Sequence, residues 1–115
     1  VIGSPAQDLK YNGERTFVRI GDNTTIREFV TINNATGKDA ETVVGSNCML
    51  MAYAHIAHNC RVGNGVIIAN CGTLAGHVEV EDKAVIGGLA AVHQFCKLGS
   101  LSLIGMISNL RDNPS

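Results

Sequence analysis

Residues 44–74 read VGSNCM LMAYAH IAHNCR VGNGVI IANCGT L, and every block of six opens on Val, Leu or Ile. The same step continues through Val80, Ile86, Val92, Leu98, Ile104 and Leu110, and runs upstream through Ile32, Ile26 and Ile20, with Lys38 the one interruption. Residue types that fill about a quarter of the chain give twelve consecutive hits by chance on the order of once in ten million, so the period is a repeat architecture. Two residues before each aliphatic stands a mostly small side chain, as at Cys48, Ala54, Cys60, Gly72, Ala84, Ala90 and Cys96. Gly recurs one residue after it, at 21, 45, 63, 87, 99 and 105. Glycine accepts positive φ, which suggests a turn at that place.

A helix repeats near 3.6 residues and would drift out of phase with a strict six. A half-buried strand of ordinary length fits poorly too, because each is punctuated after four or five residues. The pattern predicts very short strands with a bend every six residues. Three such strands close a triangular coil of eighteen, and successive coils stack at about 4.8 Å. The periodic aliphatic points into the prism. Two segments leave this lattice. Residues 4–19 carry Asp8 and Glu14 where aliphatics are due, with Pro5 and Asn12-Gly13 as turn signals. Residues 33–42, NNATGKDAET, are polar. Both are expected to be loops thrown out from a single β-helical domain spanning 1–115. Loops on a rigid scaffold often carry function, although a solvated excursion is an equal reading for the second. Neither end shows a cap, so the chain is expected to be a piece of a longer protein.

Composition narrows the function classes. The 115 residues are 45% hydrophobic and 17% charged, with formal net charge −1, which argues against a nucleic-acid reader driven by bulk positive charge. The apolar run 84–92 is too short and too glycine-rich to span a bilayer. Cys48, Cys60 and Cys96 occupy the small-residue column, and Cys60 and Cys96 lie two coils, about 10 Å, apart, beyond disulfide reach. Four reduced cysteines fit a cytoplasmic setting.

The eighteen-residue step places His58, Gly76 and Gln94 in one column, with His77 and His93 beside it and His55 one face earlier. Histidines gathered on one edge could bind zinc, or one could act as a general base while the others position a substrate. A metal site of the γ-carbonic anhydrase kind would need a second histidine five residues after the first. Here Asp82 stands five after His77, and no metal is expected.

The order IGSPAQDLKYNGE, IGDNTTIREFVTI, AHIAH, ANCGTLAGHV, AVHQFCKLG resembles the UDP-N-acetylglucosamine O-acyltransferase family over essentially the whole chain. The resemblance implies a left-handed parallel β-helix and a homotrimer with sites between subunits. It implies no cofactor and a soluble, cytoplasmic enzyme of the first step of lipid A biosynthesis. The reaction moves a 3-hydroxyacyl chain from acyl carrier protein to the 3-hydroxyl of UDP-N-acetylglucosamine. By the same resemblance His58 is the general base and the Gly76 N–H stabilises the oxyanion. Asp8 and Lys10 contact the sugar nucleotide, and His55, His77, His93 and Gln94 line the groove. Met106 would shorten the acyl pocket to about ten carbons, a bulky residue filling space that glycine leaves open. The sequence departs from the family pattern in Asn59, where an Asp usually follows the base, and in Asn33 and Asn34, where a His-Arg pair is common. Two other readings of the same residues are a non-catalytic β-helix serving as scaffold or trimerisation module, and a related N-acyltransferase. The QDLKY and VHQF segments speak against the latter.

Overall fold

In the computed structural model, which describes residues 1–105 and the strand 109–110, the chain forms sixteen short parallel strands in three sheets. One sheet runs β1(Ile2–Ser4), β4(Thr31–Asn33), β7(His55–Ile56), β10(Thr73–Leu74), β13(Ala91–Val92), β16(Asn109–Leu110). A second is built of β2(Phe17–Ile20), β5(Glu41–Val44), β8(Arg61–Val62), β11(Glu79–Val80) and β14(Lys97–Leu98). The third contains β3(Thr25–Ile26), β6(Met49–Leu50), β9(Ile67–Ile68), β12(Val85–Ile86) and β15(Leu103–Ile104). Consecutive strands belong to different sheets, so the chain turns a corner after every strand. Leu74 pairs with Ile56 below and Val92 above, which is the predicted circuit of eighteen.

The aliphatic column forms the core. Leu50, Ile56, Ile68, Leu74, Ile86 and Leu98 are fully buried, and the small residues Cys48, Ala54, Cys60, Ala84, Ala90 and Cys96 fill the space beside them. The Cys60 thiol donates to the Ala75 carbonyl at 3.0 Å, and burial pushes its pKa up to about 12, so it packs as an apolar group with one weak donor. Cys48, Cys60 and Cys71 form no disulfide.

The turns differ from the sequence expectation. The recurrent glycines at 21, 45, 63, 87, 99 and 105 do not take positive φ. That conformation falls two residues later, on residues that are mostly not glycine: Asn47, Tyr53, Asn59, Cys71, His77, Lys83, Leu89, Phe95. At 21, 45 and 63 the glycine is needed for proximity. A Cβ on Gly45 would stand 2.5 Å from the Gly63 carbonyl oxygen of the next coil. The price of this arrangement is backbone strain at each left-handed side chain, held in place by the ladders on either side.

Both excursions are shorter than expected, because strands take their ends. Ser4 is in β1, 17–19 are in β2, Asn33 is in β4, and Glu41 and Thr42 are in β5. The irregular parts are therefore 5–16 and 34–40. Ile32 faces Ile56 across 24 residues and Ile2 faces Ile32 across 30. The insertions thus add one and two hexapeptide lengths to a circuit, which keeps the aliphatic phase continuous through both of them. Each leaves the first sheet and re-enters the second, so each is thrown out at the corner that later carries 57–60, 75–78 and 93–96. Asp39 accepts from Arg15 at 3.0 Å, and the Glu14 carboxylate accepts from the Gly37 N–H at 2.7 Å, which joins the two excursions. That backbone hydrogen bond is the main reason the Glu14 carboxyl lies below its ordinary pKa.

Leu74→Ala empties a site packed on both sides. The expected loss is about 2–5 kcal/mol, read as a lowered urea midpoint at unchanged slope.

Candidate functional site

The corner after the first sheet gathers the predicted column. His58 follows β7, Gly76 follows β10 and Gln94 follows β13, each at the same place in its turn. His58 is 5% exposed, and its ring lies on the Cα of Gly76. A Cβ at Gly76 would be 2.5 Å from both Nε2 and Cε1 of that ring. Glycine is therefore required by the close approach of an imidazole from the neighbouring coil. The next column carries Asn59, His77 and Phe95, all with positive φ. His77 stacks on Phe95 at 4.8 Å and meets the His58 ring edge-on at 5.1 Å. Burial first, and the neighbouring His58 second, hold the His77 imidazole below its ordinary pKa.

The hydrogen bonds define the state of His58. Its Nδ1 is 2.9 Å from Asn59 Oδ1. The same amide faces the Thr36 backbone, with the Thr36 N–H donating to Oδ1 at 2.8 Å and Nδ2 donating to the Thr36 carbonyl at 3.1 Å. That pairing fixes which end of the amide is oxygen, so Nδ1 carries the hydrogen and Nε2 keeps its lone pair. The Asp8 carboxylate lies 3.9 Å from Nδ1. Its pKa is lowered first by the Lys10 backbone N–H, with the nearby His58 adding to this against burial, so it is ionised at neutral pH.

Gly76 offers a donor. At another corner the equivalent N–H groups of Asp22, Ser46, Asn64 and Ser100 are taken by side-chain oxygens of Ser46, Asn64, Asp82 and Glu81. The Gly76 N–H has no such partner among the described residues, while the Gly76 carbonyl accepts from the Phe95 N–H at 3.2 Å. A cleft of about 410 Å³ opens over this corner, with Asp8 and Lys10 from the first excursion on one side and His58, His77, Gln94 and Phe95 on the other. A base with a free lone pair, an unused N–H beside it, and an opposite wall of one carboxylate and one ammonium can deprotonate a hydroxyl and hold a developing oxyanion. No group of three or more metal-ligating side chains occurs among the described residues.

Of the expected site residues, Asp8, Lys10, His58, Gly76, His77 and Gln94 come together. His55 does not. It lies in β7, half-buried, with Nδ1 2.6 Å from Thr31 Oγ1, and burial lowers its pKa. A strand residue one before the inward Ile56 belongs to the sheet's outer face, not to the corner. His93 is exposed at the first turn position after β13, above Ala57 and Ala75, and does not line the cleft. Met106 lies outside the described residues. Gln7, Leu9 and Phe95 also line the cleft. The step of eighteen from Asn59 and His77 leads directly to Phe95, whereas Gln7 and Leu9 entered only as members of the QDLKY segment.

The bacterial transferase hexapeptide family (six repeats) matches residues 41–76. The acyl-[acyl-carrier-protein]–UDP-N-acetylglucosamine O-acyltransferase of Gloeothece citriformis is 52% identical over 115 residues, covering 99% of this chain and 42% of the relative. Its namesake in Synechocystis is 51% identical with the same coverage. Among solved structures, LpxA from Acinetobacter baumannii superposes with TM-score 0.94 at 44% identity, over 98% of this chain and 45% of its own. A UDP-N-acetylglucosamine acyltransferase from Campylobacter jejuni gives 0.88 at 49%, over 96% and 43%. The chain thus spans about two fifths of the length of the curated relatives it matches. Likeness this close assigns the coil its left hand.

Gly76→Ala should evict the His58 ring while leaving the coil intact. The expected signature is loss of the ring-current shift that His77 imposes on His58, with the circular dichroism spectrum unchanged.

Proposed function

Because the chain belongs to the UDP-N-acetylglucosamine O-acyltransferase family, as a segment of it, we propose that the whole protein transfers a 3-hydroxyacyl group from acyl carrier protein to the 3-hydroxyl of UDP-N-acetylglucosamine, opening lipid A biosynthesis. His58 Nε2 takes the hydroxyl proton as the oxygen attacks the thioester carbonyl. The C–O bond forms, the oxyanion is met by the Gly76 N–H, and the C–S bond then breaks. The imidazolium returns its proton to the leaving thiolate. No covalent acyl-enzyme is involved, which agrees with the burial of Cys48, Cys60 and Cys96. The observation that carries this reading is the His58 ring seated on Gly76, with the acceptor nitrogen and the unused N–H side by side.

Asp8 and Lys10 suit the sugar nucleotide, since a carboxylate accepts from ring hydroxyls and an ammonium meets the diphosphate. His77 and Gln94 face them across the cleft, while His55 and His93 lie outside it. The assembly is a homotrimer. Its support is an apolar flank of Met49, Ile67 and Leu103 on the third sheet and Phe29, Tyr53 and Leu89 on the next corner, all exposed in one protomer. Met106 limits acyl length. The enzyme works in the cytoplasm, in keeping with Cys48, Cys60 and Cys71 outside any disulfide. No helix among the described residues is long and apolar enough to cross a membrane.

His58→Ala in the full-length protein is expected to lower acyl transfer by about 10²–10⁴-fold with the trimer intact by gel filtration. Near-normal turnover would refute the role of His58. Calorimetry with UDP-N-acetylglucosamine separates an enzyme from a scaffold, which would bind none.

A further inference from the structure

An asparagine beside a catalytic base has a weakness that a carboxylate lacks. Its two ends differ chemically but not in shape, so a flipped amide would present an NH₂ group to His58 Nδ1 and drive the ring hydrogen to Nε2. A base so arranged cannot accept a proton. In this chain Asn59 takes that position, and something must break the degeneracy. The Thr36 backbone does so, because its N–H meets Oδ1 and its carbonyl meets Nδ2, whereas the flipped amide would set donor against donor and acceptor against acceptor. Asn59 itself is anchored by its own N–H donating to Thr42 Oγ1 at 2.9 Å, and its φ of 61° is one that asparagine tolerates. Thr36 is held in turn by its neighbour, since the Gly37 N–H donates to Glu14. The Asp8 carboxylate on the Nδ1 side favours the same placement of the hydrogen.

We propose that Asn59 is a positioning residue that locks His58 in the Nδ1–H tautomer, and that it does so only through the excursion 34–40, which is thereby a working part of the base and not a solvated bulge. The proposal rests on the reading of His58 as the base. The sequence could not reveal it, because the partner groups are backbone atoms of a polar loop and carry no residue signature.

The test uses the full-length protein with ¹⁵N-labelled histidine, and reads the neutral tautomer of His58 together with kcat and KM. Asn59→Gly removes the amide while suiting the left-handed backbone, so folding is retained. It should move His58 toward the Nε2–H form and lower kcat about a hundredfold with KM within about threefold. Asn59→Asp, which cannot flip chemically, should keep the Nδ1–H form and restore kcat to within about tenfold of the parent. Glu14→Ala frees the Gly37 N–H and should move the tautomer in the same direction as Asn59→Gly. An unchanged tautomer in Asn59→Gly overturns the proposal whatever the rate. An unchanged tautomer in Glu14→Ala removes the excursion from it. A moved tautomer with unchanged kcat would uphold the role of Asn59 and instead overturn His58 as base.

Discussion

Parallel hydrogen bonding between residues one coil apart is the constraint from which the rest of the molecule follows. Leu74 can pair with both Ile56 and Val92 only if every circuit between them takes eighteen residues. A slip of one residue would turn the aliphatic column outward and expose a core of fully buried side chains. The same lock governs the site. His58 and Gly76 are far apart in sequence but sit at the same turn position of stacked coils, so the ring meets the glycine without help from any flexible segment. Rigid coils thus hold the chemistry, while excursions bring the groups that meet a substrate.

The insertions obey the lattice they interrupt. Because they add whole hexapeptide lengths, the strands that follow them re-enter in phase. Because both leave the first sheet toward the second, they project from one corner. Those two facts bring Asp8 and Lys10 over a histidine about fifty residues away. The link from Glu14 to Gly37 and from Arg15 to Asp39 then fixes one excursion against the other.

The fold was legible because a six-residue aliphatic period has one physical interpretation, and the same arithmetic put His58, Gly76 and Gln94 together. What escaped was of two kinds. The recurrent glycine looked like a positive-φ residue, but at 21, 45 and 63 it serves the close approach of coils. The left-handed position instead accepts Asn, His, Lys, Leu or Phe because ladders on both sides hold it there. The second escape concerns side chains near the corner. His55 and His93 share the neighbourhood in sequence, but strand alternation and turn position separate them from the cleft. The excursion at 34–40 resembled any polar loop because its link to Asn59 is made by backbone atoms.

The site depends on the contact between one imidazole and one glycine. Nuclear Overhauser transfer between the His58 ring protons and the Gly76 α-protons, in selectively labelled full-length protein, measures it directly. The account predicts a strong transfer from Hε1 or Hδ2 to Gly76. Its absence, in a protein whose coil is otherwise intact, would place the base elsewhere and contradict the site described above.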